Sequence, residues 1–370
     1  MKFTTTKNSL FEALNETSKV IPLRTTLPIL SCVLIKAQKN EITLVSTDLE
    51  QTVISKLEGK ILEEGETALL SGRFLEIVSA LPNEELEIYT KEDQETEINS
   101  SKGIYKITGK DPGEYPAVPE REKKQEITLQ GAELLDIINT TLYATSKDDL
   151  KPALCGIYLN IQGTNITAVA TDGHRLVKYD KTIKKTNPEG SIIIPGKFFS
   201  ILKNQIKTDS DITVNVNENH LDVEQGKNKI ITRIIKESFP DFNSVIPEEL
   251  NIKAKINKEQ TIRGVKRVAI FSNKTTKQVL MDFNENELVL STEDKETRSS
   301  AKEHLECEYK NENISVAYNA QYLKEVIEHI DGNEIEIFLS GPLTAAVFKP
   351  TKQKEKTTLT ALLMPLRIKE

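Results

Sequence analysis

The sequence predicts an α+β chain made of three tandem copies of one unit, each with two helices backed by antiparallel sheet. Three observations predict it. Landmarks recur at one period: Asp48 and Asp172 stand 124 residues apart, as do Pro28 and Pro152, Gly72 and Gly196, and Pro116 and Pro240. A third set follows at almost the same interval, with Glu293 coming 121 residues after Asp172, Asn319 123 after Gly196 and Pro365 125 after Pro240. Within each period, apolar residues fall twice at helical spacing and many times in strict alternation. At 370 residues the chain is also too long for one ordinary core. The period far exceeds that of a solenoid, so each copy reads as a domain, at 1–124, 125–250 and 251–370. Short charged or proline-containing joints are expected at 120–124 and 247–250.

Taken in order, residues 1–6 alternate as a strand, and residues 7–19 place Leu10, Phe11 and Leu14 on one helical face. A turn around Pro28 leads into strands at 32–37 and 42–47, joined through Asn40 and Glu41, and then into strands at 51–57 and 66–70. Ser71-Gly72-Arg73 opens a second, short helix, which Pro82 ends, and three more short strands reach Pro116. The middle copy restarts with a helix at 131–145 and a strand after Pro152. Residues 166–170 form a strand ending in Thr171 and Asp172, a short helix opens at Pro195-Gly196-Lys197, and Phe239-Pro240 closes the copy. The last copy has a helix at 258–272, a strand ending at Thr292-Glu293, a helix from Asn319 and a close at Met364-Pro365.

Composition excludes several classes. With 38% hydrophobic and 28% charged residues the chain is globular rather than disordered or fibrous. It has no Trp and only 5% aromatics, which argues against a nucleic-acid surface built on base stacking. Cys32, Cys155 and Cys307 lack C-x-x-C spacing, against a disulfide frame or zinc site. The chain opens as a strand rather than a signal peptide, and no apolar run approaches membrane-spanning length, so a cytoplasmic protein is expected. The net charge of −7 means that any contact with nucleic acid must use local basic surface. The six helical spans together carry +3, most of it on Lys197, Lys203, Lys207, Arg263, Lys266 and Arg267. A basic surface made of helices suits non-specific phosphate contact. Helices are about 10 Å wide, so six in a circle leave a hole of about 9 Å and twelve one of about 28 Å, enough for a duplex. A helix-lined ring around DNA would therefore need two chains.

The stretch Ala170-Thr171-Asp172-Gly173-His174-Arg175-Leu176 stands apart. Asp-Gly is turn chemistry between two strands. The first and third copies keep the acid but continue Leu49-Glu50-Gln51 and Asp294-Lys295-Glu296, so one copy of a shared scaffold is decorated. Asp172, His174 and Arg175 would make a plausible acid–base set for an enzyme acting on nucleotides or phosphate esters. Against this, there is no Walker-type glycine loop, and His220, His304 and His329 fall without ligand spacing. A protein scaffold that never touches DNA is a third reading. Neither a metal nor a nucleotide cofactor is expected.

The period, the stretch Thr171 to Leu176, Phe239-Pro240-Asp241-Phe242 and the terminal Met364-Pro365-Leu366-Arg367 together resemble the bacterial DNA sliding-clamp family, the beta subunits of DNA polymerase III. The resemblance covers the whole chain. It implies a non-catalytic processivity factor for DNA replication, in which a head-to-tail homodimer forms a six-domain ring around duplex DNA. Its implied partners are duplex DNA, a second copy, DNA polymerase subunits, an ATP-using clamp loader and other proteins with a clamp-binding motif. Positions matching the family's partner-peptide pocket are Leu154, Thr171, Gly173, His174, Arg175, Leu176, Pro240, Val245, Leu362, Met364, Pro365, Leu366 and Arg367. The cleft so implied is apolar, rimmed by His and Arg. Ser244 stands where some relatives have Arg. Arg24, Arg73 and Lys197 match positions that face the hole, and Tyr105 and Ile107 should meet Ile270 and Phe271 at the joint between chains.

Overall fold

The computed structural model describes residues 1–119, 125–247 and 249–367. The joint expected at 120–124 lies outside the described residues, as does Glu248 within the joint expected at 247–250. Two helices occur in each sequence repeat: α1 Lys7–Ser18 and α2 Ser71–Ala80, α3 Gly131–Thr141 and α4 Gly196–Leu202, and α5 Lys258–Ala269 and α6 Ala320–Glu328. Their starts follow from local chemistry. Thr6, Asn257 and Asn319 accept at their side-chain oxygens from the backbone N–H groups of Ser9, Gln260 and Gln321, satisfying donors that a helix leaves open.

Three helices end earlier than their apolar spacing predicts. The helix expected through 145 tightens into a 3₁₀ turn at Leu142–Ala144. The short one that opens at Gly196, expected to include Lys203 and Lys207, stops at Leu202, where its buried stripe of Phe198, Phe199, Ile201 and Leu202 gives way to exposed Lys203 and Asn204. The one expected through 272 stops at Ala269, leaving Ile270 78% and Phe271 42% exposed. Lys203 and Lys207 are therefore loop rather than helix cations. On α5 the positive charge is met locally: Arg263 pairs with Glu259, Lys266 with Glu328 at 3.4 Å, and Arg267 with Glu303.

The strands form three antiparallel sheets, and two of them cross the boundaries between sequence repeats. The first unit comprises Met1–Gly131 with Ser200–Ile234. It holds a five-stranded sheet, in the order Lys60–Glu63, Lys2–Thr6, Glu85–Thr90, Glu95–Ser100 and Gly103–Thr108. Its eight-stranded sheet runs from Gln125–Gln130 through Asn228–Arg233 to Gln51–Leu57 and on to Gly65–Leu70, with Asn228 opposite Ser55 where the two repeats meet. The core gathers Phe3, Leu10, Leu14, Val33, Ile35, Leu69, Phe74 and Ile88 beneath α1 and α2. Burial of these side chains at about 25 cal/mol per Å² is the main force holding it. Tyr115, its phenol pushed up by burial, donates to either of the Cys32 and Val45 carbonyls at 3.2 and 3.1 Å.

The second unit comprises Ala132–Phe199 with Ile235–Glu370. Its ten-stranded sheet begins with the long hairpin of Gly156–Thr171 and Arg175–Pro195. It continues through Thr357–Leu363 of the last repeat, with Leu176 opposite Leu362, to the end strand Ile314–Asn319. Asp136 of α3 reinforces this join, accepting from Tyr179 and Lys181 at 2.5 Å and from Lys354 at 3.5 Å. Burial pushes its carboxyl up, but those donors prevail and hold it below the usual range. Among the described residues no helix is long and apolar enough to cross a membrane.

Candidate functional site

The decorated stretch is a hairpin turn with a particular lock. Asp172 Oδ1 accepts from the backbone N–H of His174 at 2.9 Å and of Arg175 at 3.1 Å, while the Thr171 hydroxyl donates to the Arg175 carbonyl at 2.6 Å. Gly173 sits at φ +87°. The first repeat builds the same turn: Asp48 accepts from Glu50 at 3.1 Å and Gln51 at 2.7 Å, and Thr47 donates to the Gln51 carbonyl at 2.7 Å. There Leu49 occupies the left-handed position, at φ +78°. The third repeat departs from the expectation. Its strand Glu287–Asp294 runs past Glu293, and the capping acid is Asp294, which accepts from Glu296 at 3.2 Å and Thr297 at 2.8 Å. Since Leu49 tolerates this conformation, the backbone alone does not demand glycine at 173. A Cβ there would meet nothing within 4 Å, so glycine leaves the space above the turn open.

Arg175 ties this turn to the last repeat. It is only 7% exposed. Its Nε donates to Asp172 Oδ2 at 3.0 Å, one terminal nitrogen meets the Glu325 carboxylate on α6, and the other donates to the Tyr143 carbonyl at 2.7 Å. The guanidinium lies between two rings, 4.7 Å from the centroid of Tyr322 and 5.2 Å from that of Tyr143. Burial pushes Glu325 up, but the bonds from Arg175 and Gln321 outweigh it and hold the carboxyl below the ordinary carboxylate range. The expectation of an arginine at the rim is thus corrected: Arg175 belongs to the wall, and its charge is met inside the protein. His174 is the exposed member, its side chain 62% accessible and its ring tilted against Tyr322 at 5.5 Å. The acid–base set considered above is engaged in holding the turn: Asp172 and Arg175 are bonded to each other and to the fold, and His174 Nδ1 stands 4.0 Å from Asp172 Oδ1.

Above the turn lies an apolar cavity of about 330 Å³. Of the residues expected at the partner pocket, Leu154, Thr171, Gly173, Arg175, Leu176, Pro240, Val245, Leu362 and Met364 line it. His174, Pro365, Leu366 and Arg367 do not; they line a larger trough of about 1080 Å³, of mixed polar and apolar surface, that shares Met364 with the cavity. The chain's end lies along both, with Met364 donating its N–H to the His174 carbonyl at 2.8 Å and Leu366 to the Ala317 carbonyl at 2.7 Å. Asp241, Phe242 and Ala345 also line the cavity without having been singled out as pocket residues. Two aromatics flanking Pro240 were a readable sign of the first two. Phe239 stacks on Tyr158 at 5.1 Å, and Phe242 packs on the same ring at 5.9 Å, which fixes the wall. Ser244 is exposed and donates to the Asp241 carbonyl at 2.8 Å.

The other expected residues lie elsewhere, each within its own unit. Arg24 is exposed beside a hollow of about 520 Å³ with Leu27, Leu30 and Leu49, and Arg73 is exposed in the first turn of α2. Lys197 is exposed at the start of α4. Tyr105, exposed, and Ile107, half-buried against the first unit's core, lie on Gly103–Thr108, the end strand of the five-stranded sheet. Ile270 and Phe271 are exposed after α5. Among the described residues no group of His, Cys, Asp or Glu is placed to hold a metal ion.

One group near Arg175 makes stability depend on pH. His329 stacks on Tyr143 at 4.0 Å between centroids and bonds the Glu325 carbonyl at 2.8 Å. Burial holds its imidazole below the ordinary 6.5, against the raising influence of Glu325 and Glu328. The unfolded chain therefore binds more protons between the depressed value and 6.5, and the contribution of His329 to stability falls as pH drops through that window. Acidification from pH 7 to 5 should lower the melting temperature, and His329→Phe, which keeps the stacking, should reduce that drop by a few degrees. An unchanged drop, measured by calorimetry, would contradict this.

Comparison with known proteins is consistent along the whole length. The family models for the DNA polymerase III beta subunit match in sequence order: the N-terminal domain at 1–119, the central domain at 128–241 and the C-terminal domain at 243–367. The beta sliding clamp of Staphylococcus epidermidis is 30% identical, with 99% of each chain covered. The crystal structure of the Bacillus subtilis DNA polymerase sliding clamp superposes with a TM-score of 0.90 at 22% identity, covering 100% of both chains. A sliding clamp from Bartonella birtlesii, solved bound to griselimycin, superposes with a TM-score of 0.91 at 24% identity and the same coverage. With three consecutive domain models and a full-length relative in agreement, the chain belongs to the DNA polymerase III beta subunit family, the non-catalytic sliding clamps of DNA replication.

Proposed function

We propose that two copies of this chain close head to tail into a ring of six domains around duplex DNA and tether DNA polymerases for processive synthesis. The domains divide at 1–124, 125–250 and 251–370, and the ring acts at the nucleoid, in the cytoplasm. The observation that carries this reading is a pair of unpartnered apolar surfaces on a soluble-looking exterior. One is the sheet edge Gly103–Thr108 with Ile104 and Tyr105 exposed; the other is Ile270 with Phe271 after α5. An open apolar edge is a liability for a lone chain, and a second copy would cover it. Tyr105 and Ile107 of one copy then meet Ile270 and Phe271 of the other. Replacing both Ile270 and Phe271 with Asp should convert the dimer to monomer in sedimentation; a persistent dimer would remove these residues from the joint.

Arg24, Arg73 and Lys197 face the hole and meet backbone phosphates without reading sequence, so the grip is topological and only assisted by charge. The protein should therefore stay on a nicked circular plasmid and slide off once the plasmid is linearised. Equal loss from both forms would refute encirclement. Charge reversal at Arg24 and Lys197 together should shorten residence and weaken its salt dependence. A closed ring needs an ATP-using loader, which the family implies as a partner. The apolar cavity holds a short extended segment of polymerase subunits, the loader and other proteins with a clamp-binding motif. Leu154, Leu176, Val245 and Leu362 receive the anchors, and Met364 adapts to different ones.

A further inference from the structure

We infer that Met364 is a redox-sensitive modification site: a peroxide that converts its thioether to the sulfoxide loosens the hold of the apolar cavity on a peptide, an inference that rests on the reading of the cavity given above. The chain has three methionines. Met281 is fully buried, Met1 is half-buried against the first unit's core, and Met364 is 48% exposed. Met364 lines both the cavity and the neighbouring trough, so it stands between an apolar wall and water. Its backbone is held by the bond from its N–H to the His174 carbonyl at 2.8 Å, which leaves the side chain as the part that responds. The thiols compete poorly for an oxidant. Cys32 and Cys307 are buried, and burial pushes both thiols up, away from the reactive thiolate. Cys155 is half-buried, and its thiol donates to the Asp148 carbonyl at 3.2 Å, a bond that needs the proton in place.

In the step itself a lone pair of the sulfur attacks one oxygen of hydrogen peroxide while the O–O bond breaks. The sulfur gains that oxygen and is oxidised by two electrons, and the other oxygen leaves as water with both protons. A flexible apolar wall group thereby becomes a polar one with a strong acceptor oxygen. The lining side chains that carry polar atoms are Thr171, Arg175 and Asp241, and they are poor partners for it. The Thr171 hydroxyl donates to the Arg175 carbonyl, each nitrogen of the Arg175 guanidinium already serves an acceptor, and Asp241 offers a carboxylate. In the empty protein the new oxygen turns into the trough and is hydrated, so the fold is untouched. With a peptide seated, it either stays outside, withdrawing the Met364 contact, or is buried without a donor, and both cost affinity. A reductase that spends a dithiol's two electrons to return the thioether, releasing water, restores the wall.

The test uses the full chain, hydrogen peroxide, peptide mapping by mass spectrometry and the anisotropy of a fluorophore-labelled Ser-Leu-Ser-Leu-Phe peptide, which has no sulfur of its own. Met364 should oxidise well ahead of Met281, and its sulfoxide should weaken peptide binding about tenfold without lowering the melting temperature. Dithiothreitol alone should not restore binding, whereas dithiothreitol with a methionine sulfoxide reductase should. Excess peptide should slow the oxidation of Met364. Met364→Leu, whatever its own starting affinity, should keep that affinity through peroxide treatment. Undiminished binding by protein fully oxidised at Met364 overturns the inference, as does oxidation of Met281 at an equal rate. Recovery with dithiothreitol alone, or an equal loss in Met364→Leu, overturns it as well and moves the effect to Cys155. Each of these results leaves the cavity reading standing, because the untreated protein binds. If untreated protein does not bind the peptide, the cavity reading fails and takes this inference with it.

Discussion

Arg175→Ala is expected to destabilise the second unit by about 3–5 kcal/mol, the cost of breaking a buried charge cluster from one side. The native guanidinium answers two carboxylates, Asp172 and Glu325, and a carbonyl, that of Tyr143. Its removal leaves Glu325 with only the Gln321 amide and the nearby Lys324 charge to offset the desolvation it already suffers. Lysine should not rescue: one ammonium cannot reach three acceptors in a plane or lie flat between rings. Peptide binding in the cavity should weaken in parallel, because the turn that lines it loses its tie to α6. Pairing Arg175→Met with Glu325→Gln should recover part of the loss, since no charge is then stranded. Urea unfolding checks all three. A loss below about 1 kcal/mol for Arg175→Ala would mean that the cluster is ordinary surface electrostatics.

Ending the chain after Leu363 should weaken peptide binding at least about tenfold, as expected from loss of a central apolar contact and its support, while leaving dimer and fold intact. The strand Thr357–Leu363 keeps its pairing with Arg175–Pro195. What disappears is Met364 from the cavity wall and the two main-chain bonds, to His174 and Ala317, that hold the tail in place. Titration calorimetry against a peptide with leucine and phenylalanine anchors, beside sedimentation of the same protein, separates the two effects. Unchanged affinity would mean that the tail is a lid to be moved rather than a wall to be touched.

The repeat and most element positions are legible in the sequence because turns are punctuated by Pro, Gly and capping acids that the copies share. The third copy shows the limit. Glu293 and Asp294 are adjacent acids, and only the strand register, with Glu293 opposite Ser300, decides which one caps the turn. The wall of the cavity is legible through resemblance more than through chemistry, and Ala345 carries no sign at all. The partners of Arg175 are hidden for a plain reason: Tyr143 lies 32 residues away and Glu325 lies 150 away, and no periodicity links them. Alternation likewise reveals which face of a strand is buried but not which strand lies beside it, so the joins at Ser55 and Leu362 are invisible beforehand. Helix ends fail where apolar residues such as Ile270 and Phe271 continue the spacing but stay exposed.

The middle repeat gives some of its strands to one sheet and some to another. The copied period and the hydrogen-bonded sheets therefore follow different frontiers along this polymer. The middle fragment excised at the copied period would carry severed hydrogen-bond ladders on both flanks, whereas cuts near Gly131 and Ile234, with the third moved to one end of α4 rather than through it, would keep the strand ladders whole. Shuffling modules among relatives at the obvious periodic seams should accordingly yield insoluble chimeras, and swaps along the interleaved frontier should fold.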